Sequence, residues 1–325
     1  MIGTRHIPPQ VLMIFDNALP AALAVAVVLD WLIGDPRWLW GRLKHPVVIL
    51  GSLIDGLDRH VNHGGAARRR IAGFAVLAAI MVLATVAGIL LASLGWVVEA
   101  IVIAILLAQR DLHDQVKNVA TSLRRDGLEE GRRMVGHIVG RDTGQLDSHG
   151  ISRAAIESCA ENFADGVVAP LFWYVVAGLP GLLVCKAVNT LDSMIGHRDP
   201  LHHAFGQASA RCDDLLNLLP ARLSAVVVAG ASIFMTGADP RSSLQAAWRD
   251  ARYHRSPNAG WPEAAFAGAL GIAIAGPRRY AGTLVNDAWM GDGRAACTPD
   301  DIDAALRLYV RSCVIAASLC VLLIL

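Results

Sequence analysis

Residues 71–98, "IAGFAVLAAIMVLATVAGILLASLGWVV", contain no Asp, Glu, Lys or Arg over 28 positions. That is too long for a soluble core helix and long enough to cross a bilayer. After Glu99 the apolar run continues to Ala108, and "SLGW" at 93–96 reads as a turn, so the segment is expected to cross and return as a helical hairpin. Working outward, shorter apolar runs lie at 18–29, 167–185, 223–238, 264–276 and 312–325. Several fall below the roughly 20 residues of a perpendicular span and are expected to be tilted, re-entrant or buried in a bundle. The expected fold is all-α: a polytopic membrane helical bundle with long cytoplasmic-side polar segments and re-entrant or broken helices. It forms one integral membrane domain over 1–325, with apolar runs near 18–33, 71–92, 97–109, 167–185, 223–238, 264–276 and 309–325.

Composition agrees with a lipid solvent: 54% of residues are hydrophobic, 18% are charged and the mean hydropathy is +0.45. A net charge of +1 without basic stretches interleaved with aromatics gives no footing for nucleic acid. The six cysteines form no Cys-x-x-Cys, so neither a disulfide framework nor a zinc site is signalled. Arg5 and His6 precede "AALAVAVVL" as in a secretory signal, but Asp30 and Trp31 follow in place of a cleavage site, which reads as a retained anchor. Segments 34–70 and 110–166 hold seven and eight Arg or Lys residues and flank the 71–108 hairpin. The positive-inside rule puts both on the cytoplasmic side. Pro170, Gly178, Pro180 and Gly181 interrupt 167–185, which is therefore predicted to be broken, re-entrant or protein-buried and to return Asn189 and Asp192 to that same side.

"ESCAENFADG" (157–166) sets Glu157, Glu161 and Asp165 four residues apart, on one helix face, with Arg153 one turn before and Ser152 as an expected N-cap. One arginine cannot neutralise three acids in its own register. "KAVNTLDSMIG" (186–196) puts Asn189 and Asp192 three apart; "ARCDDLLNLLPARL" (210–223) spaces Arg211 from Asp214 and Asp213 from Asn217 by one turn; "HRSPNAGWPEAAFAGAL" (254–270) is a loop entering an apolar helix. The functional reading is an interfacial site in which carboxylates hold hydrated Mg²⁺ or orient an amine, while Arg and Asn bind phosphate or carboxylate. The structural reading is that these groups pair with one another and cap helices. His202 and His203 read as a solvated loop pair. The sequence has no P-loop, no Gly-x-Ser-x-Gly and no His-Glu-x-x-His.

Taken in order, "LDWLIGDPRWLW", "HPVVILGSLI", "ESCAENFADGVVAPLFWY", "AVNTLDSMIGH", "FGQASARCDDLLNLLPARL" and "SPNAGWPEAAFAGAL" resemble the cobinamide-phosphate synthase family of cobalamin biosynthesis over about residues 29–285. The chain departs from the family at His197, where an aromatic residue is common, and at Gly276-Pro277, where two glycines are common. The resemblance implies a multi-pass enzyme of a prokaryotic cytoplasmic membrane. Its reaction is ATP-dependent amide formation between aminopropanol, or its O-phosphate, and a propionate of adenosylcobyric acid. The implied partners are those substrates, ATP with Mg²⁺, membrane lipid and other enzymes of the pathway, with no prosthetic group.

For that reaction Glu157, Glu161 and Asp165 are the candidate catalytic acids, with Glu157 or Glu161 taking the amine proton. Asp213 and Asp214 are the candidate ligands of the nucleotide's Mg²⁺. Arg153, Asn162, Asn189, Asp192, Arg211, Asn217, Arg222, Ser256 and Asn258 are the candidate substrate-binding residues. Two other classes stay open on the residues alone: a transporter of a small cation or corrinoid, since intramembrane acids also mark ion paths, and a scaffold that tethers soluble enzymes.

Overall fold

The computed structural model describes residues 18–197, 199–280 and 283–325; Arg5 and His6 of the anchor reading, and Arg198, lie outside them. The helices are α1 (Ala18–Ile33), α2 (Arg37–Trp40), α3 (Pro46–Val61), α4 (Ala66–Ala92), α5 (Trp96–Leu106), α6 (Gln109–Arg125), α7 (Leu128–Val135), α8 (Ser148–Phe163), α9 (Ala169–Ile195), α10 (Gln207–Leu216), α11 (Leu218–Ser232), α12 (Pro240–Asp250), α13 (Gly260–Leu270) and α14 (Pro299–Leu323). Strand among the described residues is confined to two short antiparallel ladders, β1 (Ile274–Ala275) with β4 (Trp289–Met290) and β2 (Arg278–Tyr280) with β3 (Thr283–Val285). The protein is thus an all-α polytopic membrane protein.

Among the described residues three stretches are long and apolar enough to cross a membrane: α4, Ser148–Ile195 and α14; α10 with α11 makes a fourth if the pair, bent by 42°, counts as one. The α4–α5 hairpin turns at Ser93–Gly95, where Gly95 takes a φ of 103°. Helix α14 starts cleanly because Thr298 and Asp301 form a capping box and Pro299 needs no intrahelical donor at its first position. The apolar run at 264–276 does not face lipid. It becomes α13, a core helix buried along most of its length, with Ser243 donating to the Ala265 carbonyl at 2.9 Å from α12.

Ser148–Ile195 is 48 residues, about 72 Å if straight and more than twice a bilayer core. It is not straight. A π-turn occupies Ala164–Val168, and Ala177 and Gly178 leave helical geometry, Gly178 at φ 61° and ψ −156°. Only glycine tolerates that conformation readily. Beyond the break, Gly181 lies so close to the Trp173 carbonyl that a Cβ there would stand 2.3 Å from its oxygen, although a straight helix would separate the two by about 10 Å. The chain therefore folds back on itself. The returning arm packs against α4, where the Pro180 backbone presses on Gly88 and excludes any side chain there. Such close backbone approach through small residues is how helices associate in lipid. A second apolar core grips the same arm, with Ile54, Val76, Leu77, Ile80, Val188, Leu191 and Phe205. The break expected in 167–185 is present, and the chain reverses there.

Helix α8 begins one turn before the expected cap. Asp147 takes that place, its carboxylate accepting from Gly150 N at 2.6 Å, while Ser152 is buried inside the helix and donates to the Ser148 carbonyl at 2.9 Å. His202 is likewise not a solvated loop residue. It sits between Asp199 (2.9 Å) and Asp58 (3.3 Å), and Arg69 reaches from α4 to the Pro200 carbonyl at 2.9 Å. His203 is exposed. This clasp ties the loop between α9 and α10 to α3 and α4.

Burial alone would lower the His202 value, but hydrogen bonds with Asp199 and Asp58 outweigh it and raise it. The His202 side chain and backbone hold Asp199 down to about 2. A raised histidine contributes stability that is complete below its unfolded value of about 6.5 and lost as pH climbs through the folded value. A lowered carboxylate contributes above about 3.9 and is lost as pH falls through the folded one. Hydrogen-exchange protection of amides 201–206, corrected for intrinsic rates, is therefore expected to peak between pH of about 4 and 6.5 and to fall above 7. Protection independent of pH would contradict the clasp. For the reversal, Gly178→Ala is expected to cost about 1–3 kcal/mol in a detergent unfolding experiment, and a cost near zero would mean that the turn does not need glycine.

Candidate active site

The reversal at 177–178 sets the distal half of α9 beside the end of α8 and the start of the π-turn. Lys186, Asp192 and Asp213 come within electrostatic reach of Asp165, and Asn189 lies near Asp213. Asp213 is buried on α10 and accepts from Asn217 Nδ2 at 3.0 Å; Asp213 Oδ1 and Asn217 Oδ1 are buried without a protein partner among the described residues. Lys186 makes no side-chain hydrogen bond or ion pair among the described residues, yet lies within reach of Asp165, Asp30 and Asp35. An isolated ammonium at this depth is costly without a partner. Asp214, next in sequence, is half-buried and leaves the helix in a different direction; its carbonyl accepts from Asn258 Nδ2 at 2.8 Å.

One turn back along α8 lies a polar cleft of about 300 Å³ that includes Arg141, Glu157, Glu161, His254, Ser256 and Glu263. Glu157 is fully engaged on one wall. Its Oε2 pairs with Arg141 Nη2 at 3.1 Å, both side chains 7% exposed, and its Oε1 accepts from Ala275 N at 2.9 Å. The second positive charge that the acidic face requires is thus Arg141, from the loop after α7. Ala275 and Gly276 both take left-handed backbone, φ 60° and 73°, so the segment where the chain departs from its resembled family presents an N–H to Glu157. Opposite, Ser256 N donates to His254 Nδ1 at 3.0 Å, which assigns the ring proton to Nε2, 3.5 Å from Glu263 Oε1. Arg255 pairs with Asp287 at 2.7 Å. Glu161 is the exposed acid on the α8 wall of the cleft.

The remaining expected residues separate by geometry. Asn162 turns back to the Ser158 carbonyl at 2.9 Å. Arg153 leaves the acidic face: it donates to the Ala295 carbonyl at 2.7 Å and lies over the Trp289 ring. Ser256 caps the start of the α13 turn, its hydroxyl accepting from Asn258 N and Ala259 N at 3.2 Å each. Arg222 stacks on Trp261 and donates to Asn258 Oδ1 at 3.2 Å, so Arg222 and Asn258 bind α10 and α11 to the loop before α13. Arg211 projects from the face of α10 away from Asp213, into a separate groove. The sequence reading missed Arg141, Lys186, His254, Arg255, Glu263 and Asp287.

Among the described residues no three His, Cys, Asp or Glu side chains converge as a metal cluster. The unsatisfied Asp213 Oδ1 beside Asp165 and Asp192 nonetheless fits a hydrated hard cation that arrives with a phosphate-bearing substrate, for which one or two carboxylates suffice.

A family model described as "CobD/Cbib protein" matches residues 23–309. The "Cobalamin biosynthesis protein CobD" of Sinorhizobium fredii is 48% identical over 313 residues, 93% of this chain and 96% of the relative. The proteins of that name from Brucella suis biovar 1 and Rhodobacter capsulatus are each 46% identical, over 314 and 300 residues, covering 91% and 90% of this chain and 96% and 93% of theirs. No solved structure matches.

Because Arg141 and Glu157 are both buried, removing one takes from the other its ion-pair partner. Arg141→Met is expected to destabilise by about 3–5 kcal/mol in thermal or denaturant unfolding, and the R141M/E157Q double variant to recover most of the loss. No recovery would mean that the pair is not the reason for the loss.

Proposed function

This chain belongs to the CobD/Cbib family of cobalamin biosynthesis proteins, and on that premise we propose that it is the amide-forming ligase joining aminopropanol, or its O-phosphate, to a propionate of adenosylcobyric acid at the cost of ATP. What supports this reading is one juxtaposition: a cleft with an exposed carboxylate, Glu161, opens one helical turn from a compartment holding Asp165, Lys186, Asn189, Asp192 and Asp213. Amide formation needs both chemistries, since a carboxylate must be activated and an ammonium must lose a proton.

In the proposed sequence the propionate oxygen attacks the γ-phosphorus of ATP, the bond to the β-phosphate oxygen breaks, and ADP leaves an acyl phosphate. The amine then attacks the acyl carbon, inorganic phosphate departs with the electron pair, and the nitrogen gives its proton to Glu161. A bound Mg²⁺ would neutralise charge on the transferring phosphoryl group. Asp213, helped by Asp165, would hold it. Lys186 would meet the phosphate or propionate anion, since it has no ion-pair partner among the described residues. Glu157 has a positioning role, because Arg141 and the Ala275 N–H already occupy its oxygens. The cleft and the compartment would face the cytoplasm, where these substrates are found.

Detergent-purified protein given adenosylcobyric acid, aminopropanol phosphate and Mg-ATP should form the amide with one ADP, not AMP, per product. A transporter would form none. Glu161→Gln should keep the protein monodisperse while lowering turnover by about 100-fold or more. Near-normal turnover in that variant would remove Glu161 as the base.

A further inference from the structure

A second cavity lies on the other side of α10, away from Asp213. It is a groove of about 580 Å³ between α4 and α10, walled mainly by apolar side chains including Phe74, Leu77, Met81 and Leu215, with Arg70 and Arg211 on opposite walls. Phe74 and Leu215 are 66% and 69% exposed on its flanks. Arg70 stands at the arginine-rich end of α4; from there to Met81 the helix runs about 16 Å toward the middle of the span. Neighbouring Arg69 is consumed by the fold, through Asn62 Oδ1 at 2.9 Å and the loop carbonyls of the clasp. Arg70 and Arg211 have no hydrogen-bond or ion-pair partner among the described residues.

We propose that this groove is a binding site for one anionic phospholipid, its phosphodiester held between Arg70 and Arg211 and an acyl chain laid along Phe74, Leu77 and Met81. Two exposed guanidiniums flanking the groove offer a site for a counter-anion. Phe74 and Leu215, exposed on its flanks, offer a surface for an apolar chain. A free phosphate supplies the first and not the second, and a zwitterionic lipid offsets its own phosphate with a choline or ethanolamine. The position fits as well, since arginine-rich helix ends meet anionic headgroups at the membrane surface. Occupancy would brace α10 from the lipid side while its other face presents Asp213.

The test is native mass spectrometry of the purified full chain titrated with phosphatidylglycerol or phosphatidylcholine of the same chain length. One phosphatidylglycerol should be retained at least tenfold more tightly than any phosphatidylcholine. R70Q/R211Q should lose that preference, and R241Q, an exposed arginine on α12, should keep it. Ala78→Phe, which fills the groove and leaves both arginines, should also abolish the retained lipid. If R70Q/R211Q is not monodisperse, A78F decides alone. Equal retention of the two lipids, retention unchanged in A78F, or displacement of the lipid by millimolar inorganic phosphate would each overturn the proposal.

Discussion

Backbone amides inside a bilayer must find their partners within the protein, and that constraint governs everything around Ala177–Gly178. An apolar chain that reverses direction at membrane depth exposes peptide groups that lipid cannot satisfy. It survives only where protein surrounds it. Helix α4, the α3 face and Phe205 supply that enclosure, and the Gly88–Pro180 contact shows how closely it fits. From the reversal follows the shared compartment of Asp165, Lys186, Asn189, Asp192 and Asp213; a straight 48-residue helix would have set Asp165 and Asp192 about 40 Å apart.

Charge is handled in two ways on either side of that compartment. In the cleft, Arg141 and Glu157 are paired in place, as buried ions must be, and the half-exposed Arg255 pairs with Asp287 at the rim. In the compartment, acids crowd one another, and Lys186 lies within their reach without forming an ion pair among the described residues. The paired groups hold geometry, while the unsettled ones are suited to a ligand that brings phosphate and a cation. Arg153, Arg222 and Asn258 also hold the joints between α8, α11, α13 and the strand segment.

Much of this was legible in residue order. The uncharged run at 71–98 gave away the α4–α5 hairpin, and the Pro and Gly residues of 167–185 marked the reversal because they are the residues whose backbone rules differ. The four-residue spacing of Glu157, Glu161 and Asp165 placed all three on α8 or its π-turn. What could not be read was partnership across the chain. Arg141 is one of 26 arginines and stands in an irregular loop where no period points at Glu157. Lys186 did carry a signal, as one of only three lysines and the first residue of "KAVNTLDSMIG". His254 and Arg255 open the loop motif whose Ser256 and Asn258 drew attention instead. Periodicity reports which residues share a face, and Arg211 shows its limit: it lies one turn from Asp214 but turns to the exposed groove, because the side of α10 that meets protein is fixed by Ser209, Asp213 and Asn217.

The contact between Gly88 and Pro180 has a bearing on how the protein is made. The returning arm has no stable form in bare lipid, since its wall is α4 and its grip includes Ile54 and Ile80. Those segments leave the ribosome first. Synthesis in the N-to-C direction thus delivers the receiving surface before the segment that needs it, and the arm can leave the insertion machinery directly into its slot. A circular rearrangement of the gene that placed 148–195 ahead of 46–92 would encode every contact of the folded protein and still present the membrane with a helix that has nowhere to turn.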